Sequence, residues 1–218
     1  MKLKKTLLLI IPLFLFSCVV QQDIVFNKDF SGSYKYSIDF KEYVKYLKAE
    51  VDEKTDEENY LSNIDFEEYL NFVKSGLENI LGIENLKIVN NAEEGEVYFS
   101  YDFADINTLN QALRYSNLDT KTNEYSSYFE KKCKTITYVR PKIHTEENKN
   151  IEDENKIDFD DNSLFTWVFN LEFATDVKKH NLANDTTISI QKGGRKFTET
   201  NNIYDYTNKE TKWEFKLK

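Results

Sequence analysis

Apolar residues in this chain recur with two periods, and the switches between them mark out the elements. Ile24 and Phe26, then Tyr34, Tyr36 and Ile38, stand two apart on either side of the turn-rich stretch Asp29-Phe30-Ser31-Gly32. Side chains two apart on a strand share a face, so this stretch predicts a β-hairpin with one apolar side. The spacing then changes to three and four. Phe40, Tyr43, Val44, Leu47 and Val51 make a helical face, opened by Asp39 with Glu42 three residues on, as in a capping box. After a charged stretch at 52–59, Phe66, Tyr69, Leu70, Val73, Leu77, Ile80 and Leu81 make a second helical face, with Asp65 and Glu68 at its start and Gly82 as its expected stop.

Strand spacing returns at 86–89 and 97–103, a second hairpin turning at 92–95, and Asp105 can cap a third helix with Ile106, Leu109, Ala112, Leu113 and Leu118 facing inward. From Tyr125 onward strands dominate. One at 134–139 stops before Pro141, which cannot donate to a ladder. The strongest alternation is Phe165, Trp167, Phe169, Leu171 and Phe173. Strands at 185–190 and 196–200 flank Gly193-Gly194, a hairpin turn signal. Trp213, Phe215 and Leu217 close the chain, with Lys212, Glu214, Lys216 and Lys218 between and after them. Such one-sided strands suit an antiparallel sheet with one solvated face. The expected fold is α+β: an antiparallel β-sheet built from hairpins, with about three helices packed on one face, in a single domain over 24–218. No strand–helix alternation points to a parallel sheet.

The start of the chain follows neither period. Lys2, Lys4 and Lys5 precede an apolar run from Leu7 to Phe16, broken only by Pro12, and then come Ser17 and Cys18. A basic start, a short apolar run and a small residue at the cut describe an export signal. A membrane-crossing helix needs about 20 apolar residues, and the chain turns polar at Gln21, Gln22 and Asp23. Leu15-Phe16-Ser17-Cys18 resembles the lipobox of bacterial lipoproteins, with Phe16 bulkier than is usual at its place. The resemblance implies that residues 1–17 are removed and that Cys18 becomes a lipid-modified first residue. It would carry a diacylglyceryl thioether and often a further acyl chain such as palmitate, leaving 18–23 as a lipid-anchored N-terminus. One acyl chain holds a protein marginally and two or more hold it stably, at about 0.8 kcal/mol per buried methylene. The implied location is extracytoplasmic, on the cell envelope. Val19-Val20-Gln21 carries no acidic retention residue, which by diderm sorting rules favours the outer membrane.

Charge and composition narrow the partners. The net charge is −9, and removing residues 1–17 takes away three lysines and no acid, leaving 201 residues at −12. So acidic a chain, without a basic stripe, argues against nucleic acid and against broad attraction to anionic headgroups. Aromatics at 15% argue against disorder and must fill much of the core, since methionine occurs once. With Cys18 acylated, Cys133 has no disulfide partner and reads as a strand residue between lysines.

Candidate chemistry is sparse. The acidic loop 145–163 holds Asp158, Asp160 and Asn162, alternating oxygen donors like the first half of a calcium loop. Ser163 stands where the sharp turn wants glycine and Phe169 where the bidentate glutamate belongs, so a solvated acidic loop is the better reading and no cofactor is expected. His144 and His180 lie in no HExxH arrangement, and no Gly-x-Ser-x-Gly elbow occurs. Paired carboxylates such as Glu57-Glu58 and Glu93-Glu94 read as solvated surface. The aromatic rows, Tyr34 and Tyr36 with Trp167 and Phe169, could line a groove for an apolar ligand or form a platform for a partner, or could simply be core.

Two stretches beyond the anchor, Phe26-Asn-Lys-Asp-Phe-Ser-Gly-Ser-Tyr34 and Glu210-Thr-Lys-Trp213-Glu-Phe215, resemble LppM-like envelope lipoproteins. The Pro-Gly turn expected between the last strands is absent, and 145–163 is an insertion. The resemblance implies an α+β envelope domain with a role in binding lipid, and carries over no site residues. The expectation is thus a non-enzymatic, membrane-anchored envelope lipoprotein that binds a lipid or an envelope protein. Its alternatives are a purely structural lipoprotein and a hydrolase of unrecognised type.

Overall fold

The computed structural model describes residues 18–50, 66–116, 128–140, 165–182, 187–202 and 210–218. Expectations that fall on 1–17, on Val51, Asp65, Leu118 and His144, and on the acidic loop 145–163 with Asp158, Asp160 and Asn162, lie outside the described residues. In chain order the elements are β1 (Cys18–Phe26), β2 (Gly32–Asp39), α1 (Lys41–Glu50), α2 (Phe66–Leu77), β3 (Ile83–Asn91), a 3-10 turn (Ala92–Glu94), β4 (Glu96–Phe103) and α3 (Ile106–Ser116). Then follow β5 (Phe129–Lys132), β6 (Thr135–Arg140), β7 (Phe165–Phe173), β8 (Val177–His180), β9 (Ile188–Gln191), β10 (Lys196–Asn202) and β11 (Thr211–Leu217).

Local chemistry accounts for the element ends. Asp105 Oδ1 accepts from the Thr108 amide at 2.8 Å and satisfies one of the unpaired donors of the first turn of α3. Asp39 Oδ1 likewise accepts from the Lys41 amide at 3.1 Å, and the Phe40 amide donates to the Gly95 carbonyl at 2.8 Å. That second bond ties the start of α1 to the β3–β4 turn. Gly95 itself has φ +76°, and a Cβ there would stand 2.5 Å from Lys41 Cα, so only glycine fits. α2 ends at Leu77, five residues before Gly82, so Gly82 is not its stop, and Leu81, expected on the inward face, is 95% exposed. The chain leaves α2 through successive turns in which the Ile80 amide donates to Leu77 and the Ile83 amide to Ile80.

The chain is mixed α and β, dominated by antiparallel sheet. Among the described residues seven strands form one sheet in the order β3-β4-β2-β1-β7-β10-β9, and four form another in the order β5-β6-β11-β8. Three expected hairpins are present: β1–β2, β3–β4 and β9–β10 all pair antiparallel. Two features depart from the expectation. The strands form two sheets rather than one, and β1 pairs with β7 in parallel, Cys18 opposite Phe165 through Phe26 opposite Phe173. No short-range signal announces that parallel pair, because the two strands are far apart in sequence. Residues 18–23 also join the fold. β1 begins at Cys18, and its inward positions run Val20, Gln22, Ile24 and Phe26, with Gln22 interrupting the apolar pattern and hiding the strand's first half.

The register aligns one residue from each strand across the larger sheet. Opposed pairs link Ile88 to Phe99, Tyr36, Gln22, Phe169, Glu199 and Ile188 in order, and this row belongs to the buried face. Helices cover that face over β3 and β4, where Tyr69 meets Phe99 with ring centroids 6.5 Å apart. The four-stranded sheet covers it over β7 and β10. Tyr138 stacks on Phe169 at 4.9 Å, and Phe215 meets Phe173 at 5.1 Å and Phe197 at 4.8 Å. Phe26 sits at the seam, with its ring 5.6 Å from Phe103, 5.4 Å from Phe129 and 5.7 Å from Phe173. Helices packed on one side therefore describe only half of the molecule. An alternating strand declares which of its faces is buried, but not whether a helix or another sheet will bury it.

Candidate functional site

The two ends of the larger sheet differ in chemistry. At the far pole the turn after β1, the β5–β6 turn at Cys133-Lys134 and the Gly193-Gly194 turn stand over an interior of packed phenylalanines. At the opposite pole lie Cys18, the start of α1 and the last residues of β10. The inward row nearest that pole runs Val97, Ile38, Val20, Trp167 and Asn201, apolar except at β10.

Cys18 is the first residue of β1 and has the inward parity of Val20, and it is partly buried against the core. Burial, and then the nearby Asp39 carboxylate, push its thiol pKa above the ordinary value. Lys41 stands 3.1 Å from Glu96 and 3.8 Å from Asp39, which partly offsets the acidity of this pole.

Halfway along the sheet, in the row of Gln22 and Phe169, Glu199 of β10 meets Arg140 at the end of β6, with the Arg140 and Glu199 side chains 5% and 1% exposed. Arg140 Nη1 donates to Glu199 Oε2 at 2.8 Å and Nη2 to Oε1 at 3.3 Å, a two-pronged pair. Nη2 also donates to Thr211 Oγ1 at 2.8 Å, and Asn201 Nδ2 donates to Glu199 Oε1 at 2.8 Å. This cluster joins the two sheets where the aromatic packing ends. The sequence reading missed it, although a signal was present. Arg140 follows Tyr138 by two, Glu199 follows Phe197 by two and Thr211 precedes Trp213 by two, so each is a polar residue at an inward position.

The four aromatic residues singled out from the sequence separate in the structure. Tyr34 and Phe169 are 1% and 0% exposed; Tyr34 stacks on Tyr101 at 4.9 Å and accepts a hydrogen bond from Gln22 Nε2 at 3.0 Å. Their ring faces are occupied by the core. Tyr36, in the central row opposite Gln22, and Trp167, opposite Val20 toward the Cys18 pole, are half-buried with ring centroids 6.1 Å apart. Two surface depressions among the described residues lie elsewhere. One, of about 800 Å³, is at the far pole between Asp29, Phe30, Asp105, Asn110, Arg114 and Lys131, and is mostly polar. The other, of about 390 Å³, lies near Asn27, Gly32 and Asp102. His180 packs its ring edge-on against Phe197 at 5.4 Å, with Nδ1 accepting from the Leu182 amide at 3.3 Å, and Cys133 is exposed in its turn. Among the described residues no three of His, Cys, Asp and Glu stand together as a metal site, and no helix is long and apolar enough to cross a membrane.

The chain matches no family model and no curated protein. Among solved structures, the NMR structure of the folded domain of LppM from Mycobacterium tuberculosis superposes with a TM-score of 0.41 at 8% identity, covering 92% of this chain and 89% of that one. A likeness at that level carries no argument about function.

Proposed function

We propose that this protein is a non-enzymatic envelope lipoprotein, held to the membrane by lipid on Cys18, whose domain binds a lipid or an envelope protein. The observation that carries the reading is Cys18, the last residue of Leu15-Phe16-Ser17-Cys18, which is itself paired in the central strand β1, opposite Phe165 of β7. Removal of residues 1–17 would leave every described ladder pair of that strand in place. In this reading the acyl chains are of the palmitate kind, no cofactor is needed, and the outer membrane is the destination in a diderm cell. The half-buried Tyr36–Trp167 pair is the surface offered to an apolar ligand, because Tyr34 and Phe169 are committed to the core.

Mass spectrometry of the N-terminal peptide from membrane-extracted protein tests the anchor. The expected product starts at Cys18 with the mass of a diacylglyceryl group added, and Cys18→Ser shifts the protein into the soluble fraction. Membrane-extracted protein with an unmodified Cys18 thiol and residues 1–17 still attached would overturn the reading. Lipids co-purifying with the Cys18→Ser form test the ligand. None above background in the wild-type interior, and no change on Trp167→Ala, would leave a purely structural role.

A further inference from the structure

We infer that the membrane meets this domain end-on, at the Cys18 pole, with the strands of the seven-stranded sheet along the membrane normal and the far-pole turns pointing away. This orientation rests on the lipid anchor proposed above and adds to it. Lipid on a residue that trails a flexible linker says nothing about orientation, since such a linker explores a coil of distances. Here the linker has no residues. Cys18 lies inside the ladder, opposite Phe165 of β7, and its neighbour Val19 lies opposite Asp39 of β2. The acylated sulfur would thus leave from a fixed point on a rigid sheet.

That point is also central. β1 is the fourth of the seven strands, so three strands flank the anchor on each side. At about 4.8 Å between strands, the sheet extends roughly 14 Å to either side of β1. Tipping the domain onto a long side would lever one of these flanks into the bilayer. The charges at the pole fit a headgroup layer that need not attract them. Lys41 is paired with Glu96 and Asp39, and Lys48 with Glu94 at 3.0 Å.

The chain carries its own reporter. Cys133 is the second of two cysteines, so once Cys18 is acylated it is the one free thiol, and it is exposed in the β5–β6 turn at the far pole. β1 alone measures about 26 Å, eight steps of about 3.3 Å. A dye on Cys133 should lie at least about that far from the headgroups. The test uses full-length processed lipoprotein in phosphatidylethanolamine–phosphatidylglycerol vesicles, with resonance energy transfer from the dye to a headgroup-labelled acceptor lipid. The comparison is Cys133→Ser combined with Asn202→Cys, which places the dye on the exposed end of β10 at the Cys18 pole. Transfer several-fold stronger from position 202 than from 133 is expected. Equal transfer, or stronger transfer from Cys133, overturns the end-on orientation while leaving the anchor intact. Failure of the protein to float with the vesicles, measured before any dye is excited, overturns the anchor itself and the orientation with it.

Discussion

Replacing Glu199 with alanine should be among the most damaging single changes in this protein. The carboxylate is 1% exposed and accepts three hydrogen bonds, at 2.8 and 3.3 Å from Arg140 and at 2.8 Å from Asn201. Its removal takes the counter-ion from a guanidinium that is itself 5% exposed. Breaking a buried pair by deleting one partner costs about 3–5 kcal/mol, because the remaining charge stays desolvated. For a domain of this size each kcal/mol moves the melting temperature by about 2–4 °C, so the expected drop is roughly 6–20 °C. Denaturant unfolding, followed by fluorescence of Trp167 and Trp213, reads the free energy directly. Arg140→Met combined with Glu199→Leu removes both charges and keeps apolar volume, and should return to within about 1–2 kcal/mol of the wild type or exceed it. A Glu199→Ala cost below about 1 kcal/mol, the level of a surface pair, would refute the buried clamp between the sheets.

Phe26→Ala should cost about 3–5 kcal/mol in the same unfolding assay, since the 0%-exposed ring touches three others where helices and both sheets meet; a loss under about 1.5 kcal/mol would mean the seam is loosely packed. Gly95→Ala should destabilise more than Gly193→Ala. Both glycines have positive φ and share a conformational cost of about 1–2 kcal/mol, but the Cβ at 95 would stand 2.5 Å from Lys41 Cα whereas the one at 193 meets nothing within 4 Å. In protein carrying an unacylated Cys18, maleimide should modify exposed Cys133 before Cys18, whose thiolate is disfavoured by burial and by Asp39. Intact-mass spectra over time check the order, and faster labelling of Cys18 would place it outside the ladder.

What the sequence determined by itself is the local grammar of the chain. The parity of Ile24 and Phe26, of Val97 through Phe103 and of Trp213 through Leu217 assigned inward faces that the burial of these residues matches. Asp39 and Asp105 marked helix starts where their carboxylates do accept backbone amides. These signals are legible because they arise within one strand or one helical turn. The tertiary structure decided which surfaces meet. It sent the aromatic row of β7 to a second sheet instead of the helices, made β1 and β7 parallel neighbours, and buried Tyr34 and Phe169 while leaving Tyr36 and Trp167 half-open. It also turned Arg140, Glu199 and Thr211 from scattered polar residues into one cluster. Periodicity records that a face is buried, whereas the choice of what buries it is a sum over contacts distant in sequence. The candidate site belongs to that second kind: Cys18 stood out in the sequence as the candidate for lipidation, but its place in the centre strand of the sheet did not.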